Sequence, residues 1–161
     1  MTYLHLLRHA HAGDSTAWAG PDATRPLTDK GRSQAERLGR FLGDLGFSPD
    51  LIASSPKVRS VQTAEIVADI LGLAVRVDDR LGDPLEIGTL EAILADHGDP
   101  TTPVLVGHDP DFTDLVAMLC GAAGVPMRKG SLARIEVDRP LQAGGGTLRW
   151  LVPPDMLKPE R

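Results

Sequence analysis

The sequence predicts an α/β protein with three layers, in which helices cover both faces of a mostly parallel central sheet. Short apolar runs of strand length alternate along the chain with segments in which apolar residues recur at helical spacing. Capping residues and glycines separate these segments. Because parallel strands need crossover helices and are usually buried on both faces, this alternation favours the layered arrangement.

The chain of 161 residues has the length of one domain, and we expect a single domain over 1–161 with a frayed tail over 153–161. The formal net charge of −5 argues against a nucleic-acid partner or an anionic membrane surface, since either would require a basic face. No apolar run has the length of a signal peptide or a membrane span, so a cytoplasmic location is expected.

The first strand is predicted over residues 3–9, and a polar, glycine-rich loop follows up to about residue 26. Thr28 then caps a helix whose leucines recur at helical spacing until Gly46 ends it. A second strand is predicted over residues 50–54.

Ser55 and Pro56 predict the beginning of the next helix, as an N-cap followed by a first-turn proline, and Gly72 predicts its end. A third strand over residues 73–77 leads through a polar segment to a helix around residues 90–94.

The fourth strand is predicted over residues 103–108, and Asp109 and Pro110 predict a helix directly after it. Two further strands, over 132–137 and 147–152, have the pattern of a closing hairpin joined through a glycine-rich turn.

Charged and nucleophilic side chains follow several of these strands. Arg8 and His9 end the first strand, Ser54 and Ser55 end the second, and His108 ends the fourth. Because the carboxyl ends of parallel strands share one edge of a sheet, we expect these side chains to lie together.

These residue types indicate phosphoryl chemistry. A neutral imidazole is a good nucleophile at phosphorus, and arginine supplies a permanent positive charge with paired donors for phosphoryl oxygens. Arg8 lies beside His9, and Arg59 lies in the first turn of the second helix. A helix N-terminus adds free N–H groups, so Ser54, Ser55 and Arg59 are predicted to form one wall of an oxyanion pocket.

The chain resembles the histidine phosphatase superfamily, which has the phosphoglycerate-mutase-like fold. The resemblance runs through about three-quarters of the chain, and its compact form is similar to the SixA-type phosphohistidine phosphatases, with minimal insertions. It rests on motifs that occur in the family's order: Arg8-His9-Ala10, Pro26-Leu27-Thr28-Asp29-Lys30-Gly31, Gln34-Ala35, the run from Ser54 to Ala64, and Val106-Gly107-His108.

The resemblance implies a phosphatase that forms a covalent phosphohistidine on His9 and needs neither metal nor cofactor. Arg8, Arg59 and His108 would bind the phosphoryl group. The implied substrate is a protein phosphohistidine, with a small phosphate ester as the alternative. Four further residues are candidates for contact with phosphate or substrate: Ser15, Arg25, Ser54 and Asp109.

The general acid has no clear match to the pattern of larger relatives. Asp83 is the first candidate and Glu86 the second. A strong acid is unnecessary if the substrate is phosphohistidine, because an imidazole leaves more easily than an alkoxide; His108 or water would then supply the proton.

Two other functions remain as alternatives. His9 and His11, with His108 and Asp109, have a composition compatible with a metal-dependent hydrolase, although Arg8 and Arg59 are unfavourable neighbours for a cation. A non-catalytic phosphate-binding module is the second alternative, and the presence of all four candidate catalytic residues argues against it.

Overall fold

The computed structural model describes residues 1–82 and 84–159. The four helices are α1 (Asp29–Asp44), α2 (Val58–Leu71), α3 (Ile87–Asp96) and α4 (Asp111–Cys120). The six strands are β1 (Thr2–Arg8), β2 (Leu51–Ser54), β3 (Arg76–Val77), β4 (Pro103–Gly107), β5 (Leu132–Val137) and β6 (Gly146–Val152). No helix within the described residues is long and apolar enough to cross a bilayer.

The six strands form one sheet in the order β3-β2-β4-β1-β5-β6. The first four strands in that order are parallel to their neighbours, whereas β5 and β6 are antiparallel and form the predicted closing hairpin. The prediction of a mostly parallel sheet is therefore confirmed. Its two central strands, β4 and β1, pair in a register that sets Arg8 opposite Gly107.

The core has two parts because alternate residues of a strand point to opposite faces of the sheet. Leu4 and Leu6 of β1 pack on one face with apolar residues of α3 and α4. Leu7 packs on the other face with residues of α1 and α2, among them Leu38 and Val67. This is the predicted three-layer arrangement.

Gly107 allows α4 to pack closely against the end of β4. A Cβ atom at this position would lie 2.8 Å from Cζ of Phe112, whose ring is completely buried in the core. The missing side chain therefore lets the helix begin close to the residue that follows, His108.

The predicted beginning of α2 is wrong by two residues. The helix begins at Val58, after the N-cap position of Lys57, and no side chain caps it. The Ser55 hydroxyl instead accepts from the amide of Lys57 and is hydrogen-bonded to His108. Arg59 still lies in the first turn of the helix, and Gly72 ends it as predicted, in the left-handed conformation.

Other boundaries also differ from the prediction, most of them by one residue. Strand β3 contains only Arg76 and Val77, because the amide of Leu73 still bonds to the last turn of α2. Helix α4 begins at Asp111, with Pro110 at its N-cap position. In the tail, Pro154–Leu157 forms a 3-10 turn in which Pro154 is buried.

Candidate active site

The carboxyl ends of β1, β2 and β4 bring the predicted side chains together. The amide of His9 donates to the carbonyl of Gly107 across the β1–β4 pair, and the amide of Ser55 donates to Val106 across the β2–β4 pair. The ring centroids of His9 and His108 are consequently 5.2 Å apart. The expectation that the two histidines converge within the reach of one phosphate is confirmed.

His9 is held in a single orientation by its own backbone neighbour. The Nδ1 atom lies 2.8 Å from the carbonyl oxygen of Ala10, and since a carbonyl can only accept, Nδ1 carries the proton. The side chain is only 5% exposed. Burial, followed by the neighbouring His108 and the positive charges of Arg59 and Arg8, lowers the pKa of His9 to about 3. The imidazole is therefore neutral at pH 7, and its Nε2 atom has a free lone pair.

His108 is neutral for the same reasons. Burial and nearby cations, Lys57 first among them, lower its pKa to about 3. Its Nε2 atom lies 2.7 Å from the Oγ atom of Ser55. Because Ser55 Oγ also accepts from the Lys57 amide, its proton is available to His108 Nε2. When Ser55 donates this proton to Nε2, the proton of the neutral ring is on Nδ1, which is buried and has no partner within the described residues.

Arg8 and Arg59 approach the site from β1 and α2. Nη1 of Arg8 donates to the carbonyl of Met127 at 2.8 Å and lies 3.5 Å from the Asp109 carboxylate. The guanidinium of Arg59 donates twice to Asp22: Nη1 to the carbonyl at 2.9 Å and Nη2 to the carboxylate at 3.0 Å. Both guanidinium groups are thus fixed by their terminal nitrogens.

Three buried nitrogen atoms of these residues have no hydrogen-bond partner in the described part of the chain: Arg8 Nε, Arg59 Nε and His108 Nδ1. Buried polar atoms are nearly always paired in native proteins, so unpaired ones call for a specific explanation. An oxyanion bound beside His9 would accept hydrogen bonds from such donors. The arrangement thus combines a neutral nucleophile with donors suited to a phosphoryl group.

The residues predicted to assist have different surroundings. Ser54 is completely buried, and its hydroxyl donates to the carbonyl of Ser55. Ser15 is exposed and begins a 3-10 turn. Arg25 is buried and donates to the carbonyls of Ala12 and Gly13, contacts that fix the loop after His9.

Asp109 bonds to the first turn of α4 through the amide and hydroxyl of Thr113, in addition to its contact with Arg8. Its carboxylate therefore connects Arg8 to the helix that follows His108.

The structure describes only one of the two candidates for the general acid. Asp83 lies outside the described residues. Glu86 is exposed and lines a depression of about 380 Å³ together with Asp111 and Asp114. None of the four residues assigned to phosphoryl chemistry lines that depression.

His11 does not join His9 in a donor cluster. Its Nδ1 atom is hydrogen-bonded to the Thr28 hydroxyl at 2.8 Å, which ties the loop to the beginning of α1. Within residues 1–82 and 84–159, no three His, Cys, Asp or Glu side chains are grouped so that they could hold a metal ion.

Two residues that contact the site were missed. Asp22 lies in a loop whose conformation the sequence does not specify, and no local pattern connects it to Arg59. Thr63 accepts from the amide of Ala10 and donates to the carbonyl of Arg59. Its spacing from Arg59, one helical turn, was a signal that could have identified it.

The comparisons with known proteins agree with this geometry. The model of the histidine phosphatase superfamily (branch 1) matches residues 4–109. Phosphohistidine phosphatase SixA of Escherichia coli is 31% identical over 158 residues, which cover 95% of this chain and 94% of that protein. An acid phosphatase of Mycobacterium tuberculosis is 33% identical over 110 residues, covering 68% of this chain and 49% of that one.

The solved structures agree as well. The structure of the protein histidine phosphatase SixA complexed with tungstate superposes with a TM-score of 0.83 at 27% identity, covering 98% of this chain and all of that chain. The fold, the family model and the full-length similarity lead to one conclusion: the chain is an enzyme that belongs to the histidine phosphatase superfamily.

Proposed function

We propose that this enzyme hydrolyses phosphohistidine in proteins through a covalent phosphohistidine intermediate on His9. The observation that carries the proposal is the hydrogen bond from His9 Nδ1 to the Ala10 carbonyl, because it leaves Nε2 unprotonated and fixes its direction. A neutral imidazole fixed in this way is ready to attack phosphorus.

In the first step, the lone pair of His9 Nε2 forms a bond to phosphorus while the bond from phosphorus to the substrate's imidazole nitrogen breaks. The electron pair of that bond goes to the departing nitrogen, which takes a proton from solvent. In the second step, water attacks the phosphorus of phospho-His9. The products are inorganic phosphate and His9, whose Nε2 recovers its lone pair.

Arg8, Arg59 and His108 stabilise the phosphoryl group during both steps. Negative charge on its equatorial oxygens is best stabilised by donors that are already in place, since they need no reorganisation during the reaction. The terminal nitrogens of both arginines are held by Met127 and Asp22, and Ser55 holds His108. We assign the unpaired nitrogens Arg8 Nε, Arg59 Nε and His108 Nδ1 to the phosphoryl oxygens.

The groups available to protonate the leaving atom support phosphohistidine as the substrate class. Neither His9 nor His108 is protonated at pH 7, so neither is a strong acid in the free enzyme. Glu86 lies in a separate depression. Of the two candidate acids, the one that the structure describes thus does not share a depression with His9, which supports a substrate whose leaving nitrogen needs little help. The similarity to phosphohistidine phosphatase SixA along almost the whole chain points to the same class.

The test is a substrate panel of a phosphohistidine peptide, an aryl phosphate and an alkyl phosphate, each with and without a chelator. We expect the peptide and the aryl ester to react well, the alkyl ester poorly, and the chelator to have no effect. His9→Ala should lose nearly all activity, whereas the matched control His11→Asn should retain it. Equal rates on alkyl and histidine phosphates would exclude the proposed substrate class, and loss of activity with chelator would favour the metal-dependent alternative.

A further inference from the structure

The loop that precedes β5 is attached directly to the residues of the proposed site. The amide of Gly130 donates to the carbonyls of both Arg8 and His9, at 3.1 and 2.9 Å. Arg8 in turn donates from Nη1 to Met127 and from its amide to Ser131. Gly130 has a φ of +80°, a conformation that glycine adopts without strain. The position of Lys129, directly before Gly130, is therefore fixed relative to His9.

The Lys129 side chain lies in a strongly positive environment. It is half-buried, and within the described residues no carboxylate lies within ion-pair distance of it. Burial and then the charges of Arg8, Arg25 and Arg59 lower the pKa of its ammonium group, and the opposite effect of the Asp14 carboxylate is smaller. Because Gly130 is bonded to the backbone of Arg8 and His9, Lys129 lies at the rim of the proposed site, where the charges of arginines from three separate segments act on it.

The three arginines differ from Lys129 because each has an acidic partner within ion-pair distance. Arg8 lies 3.5 Å from Asp109, while Arg25 and Arg59 share Asp22. A half-buried cation among three arginines is electrostatically unfavourable unless an anion binds beside it. A doubly charged phosphoryl group, or an acidic group next to it in the substrate, supplies that charge.

We propose that Lys129 is a substrate-binding residue whose ammonium group binds an oxyanion of the substrate at the rim of the site. The inference rests on the proposed function for the location of the phosphoryl group. It adds a residue from the β5 loop to a site otherwise built from the ends of β1, β2 and β4. The oxyanion belongs either to the reacting phosphoryl group or to an acidic side chain beside it in the substrate.

The test compares Lys129→Met, Lys129→Arg and the matched control Arg128→Met, which removes a charge from the exposed neighbouring residue of the same loop. Binding of inorganic phosphate is measured by calorimetry, and kcat and KM are measured with two phosphohistidine peptides, one with neutral and one with acidic flanking residues. Thermal unfolding of each variant identifies any loss of stability, and Lys129→Gln replaces Lys129→Met if the latter does not fold.

If Lys129 binds the phosphoryl group, Lys129→Met weakens phosphate binding about tenfold and raises KM more than it lowers kcat, since a lost charged hydrogen bond has about this effect. If it binds a neighbouring acidic group, phosphate binding is unchanged and the preference for the acidic peptide is lost. In either case Lys129→Arg retains most of the wild-type behaviour and Arg128→Met changes it less than twofold.

The inference is overturned if Lys129→Met binds phosphate and both peptides within twofold of the wild type. The calorimetric measurement involves no phosphoryl transfer, so it remains informative even if His9 proves not to form a phosphoenzyme.

Discussion

The carboxylate of Asp22 lies 3.0 Å from Nη2 of Arg59, so the buried cation that we assign to phosphoryl binding already has an anionic partner. The pair is asymmetric, because the side chain of Arg59 is 6% exposed and that of Asp22 is 52% exposed. Asp22 therefore fixes a buried guanidinium from the solvent side and at the same time reduces the positive potential available to a substrate.

Asp22→Asn should tighten phosphate binding. An asparagine keeps the backbone carbonyl contact with Arg59, but it removes the negative charge and one of the two acceptor oxygens that bind Arg25 and Arg59. Since half-exposed ion pairs contribute roughly 0.2 to 1 kcal/mol, we expect phosphate affinity to rise about 1.4-fold to fivefold, with a loss of stability of about the same free energy. Calorimetry with inorganic phosphate measures the first change and urea unfolding the second. Asp44→Asn, at the exposed end of α1, is the control, and weaker phosphate binding by Asp22→Asn would show that positioning outweighs charge.

Ser55→Ala should lower kcat/KM about tenfold, because the hydrogen bond that orients His108 is lost at a distance of 2.7 Å. Ser54→Ala is a matched control, because it removes the same hydroxyl group from the neighbouring residue. Both serines are completely buried and adjacent, but the Ser54 hydroxyl donates to a backbone carbonyl and not to His108. We expect Ser54→Ala to change kcat/KM less than twofold. Steady-state kinetics with an aryl phosphate measures both, and equal losses in the two variants would contradict the role of Ser55.

The free enzyme should contain His9 as a neutral imidazole with its proton on Nδ1. Burial lowers its pKa to about 3, and the Ala10 carbonyl selects the tautomer. The ring nitrogen chemical shifts of ¹⁵N-labelled protein at pH 5.5 should therefore be those of a neutral ring with an unprotonated Nε2. A His9 ring that is half protonated near pH 6.5, the ordinary value for histidine, would contradict this assignment.

Acid should destabilise the fold through its buried histidines. Burial lowers the pKa of His5 to about 4, so between pH 6.5 and pH 4 the unfolded state binds a proton that the native state does not. The free energy of unfolding consequently falls as the pH falls through this range, by roughly 2 kcal/mol per buried histidine between pH 7 and pH 5.

His5→Asn tests this contribution. Asparagine retains a donor for the Pro103 carbonyl, with which His5 Nδ1 is hydrogen-bonded at 3.0 Å, but it has no group that titrates in this range. We expect the decrease in stability between pH 7 and pH 5, measured by urea unfolding, to be about 2 kcal/mol smaller in the variant. An identical pH dependence in both proteins would mean that His5 is not the source of the effect.

The layered fold and the convergence of the site were predictable because both depend on local patterns. Alternation of strand and helix signals specifies the parallel sheet, and the positions of His9 and His108 after their strands specify that they share an edge. The beginning of α2 was not predictable from Ser55 and Pro56, since the Ser55 hydroxyl is bound to a histidine 53 positions along the chain. Long-range contacts of this kind override local capping preferences.

The partner of Arg59 was unpredictable for a related reason. Asp22 belongs to the loop between β1 and α1, which has no periodic pattern, and it reaches Arg59 across 37 positions of the chain. The functional details missed by sequence reasoning are therefore the supports of the site, whereas the residues assigned to the chemistry carry local signals.

The most direct measurement of the central claim is isolation of the phosphoenzyme. We expect rapid acid-free quenching during turnover of a phosphohistidine peptide, followed by mass spectrometry, to find one phosphoryl group on Nε2 of His9. The same group should be absent from His9→Ala and should accumulate if water attack is slowed by low temperature. A phosphoryl group on another residue, or full activity of His9→Ala without any phosphoenzyme, would contradict the account.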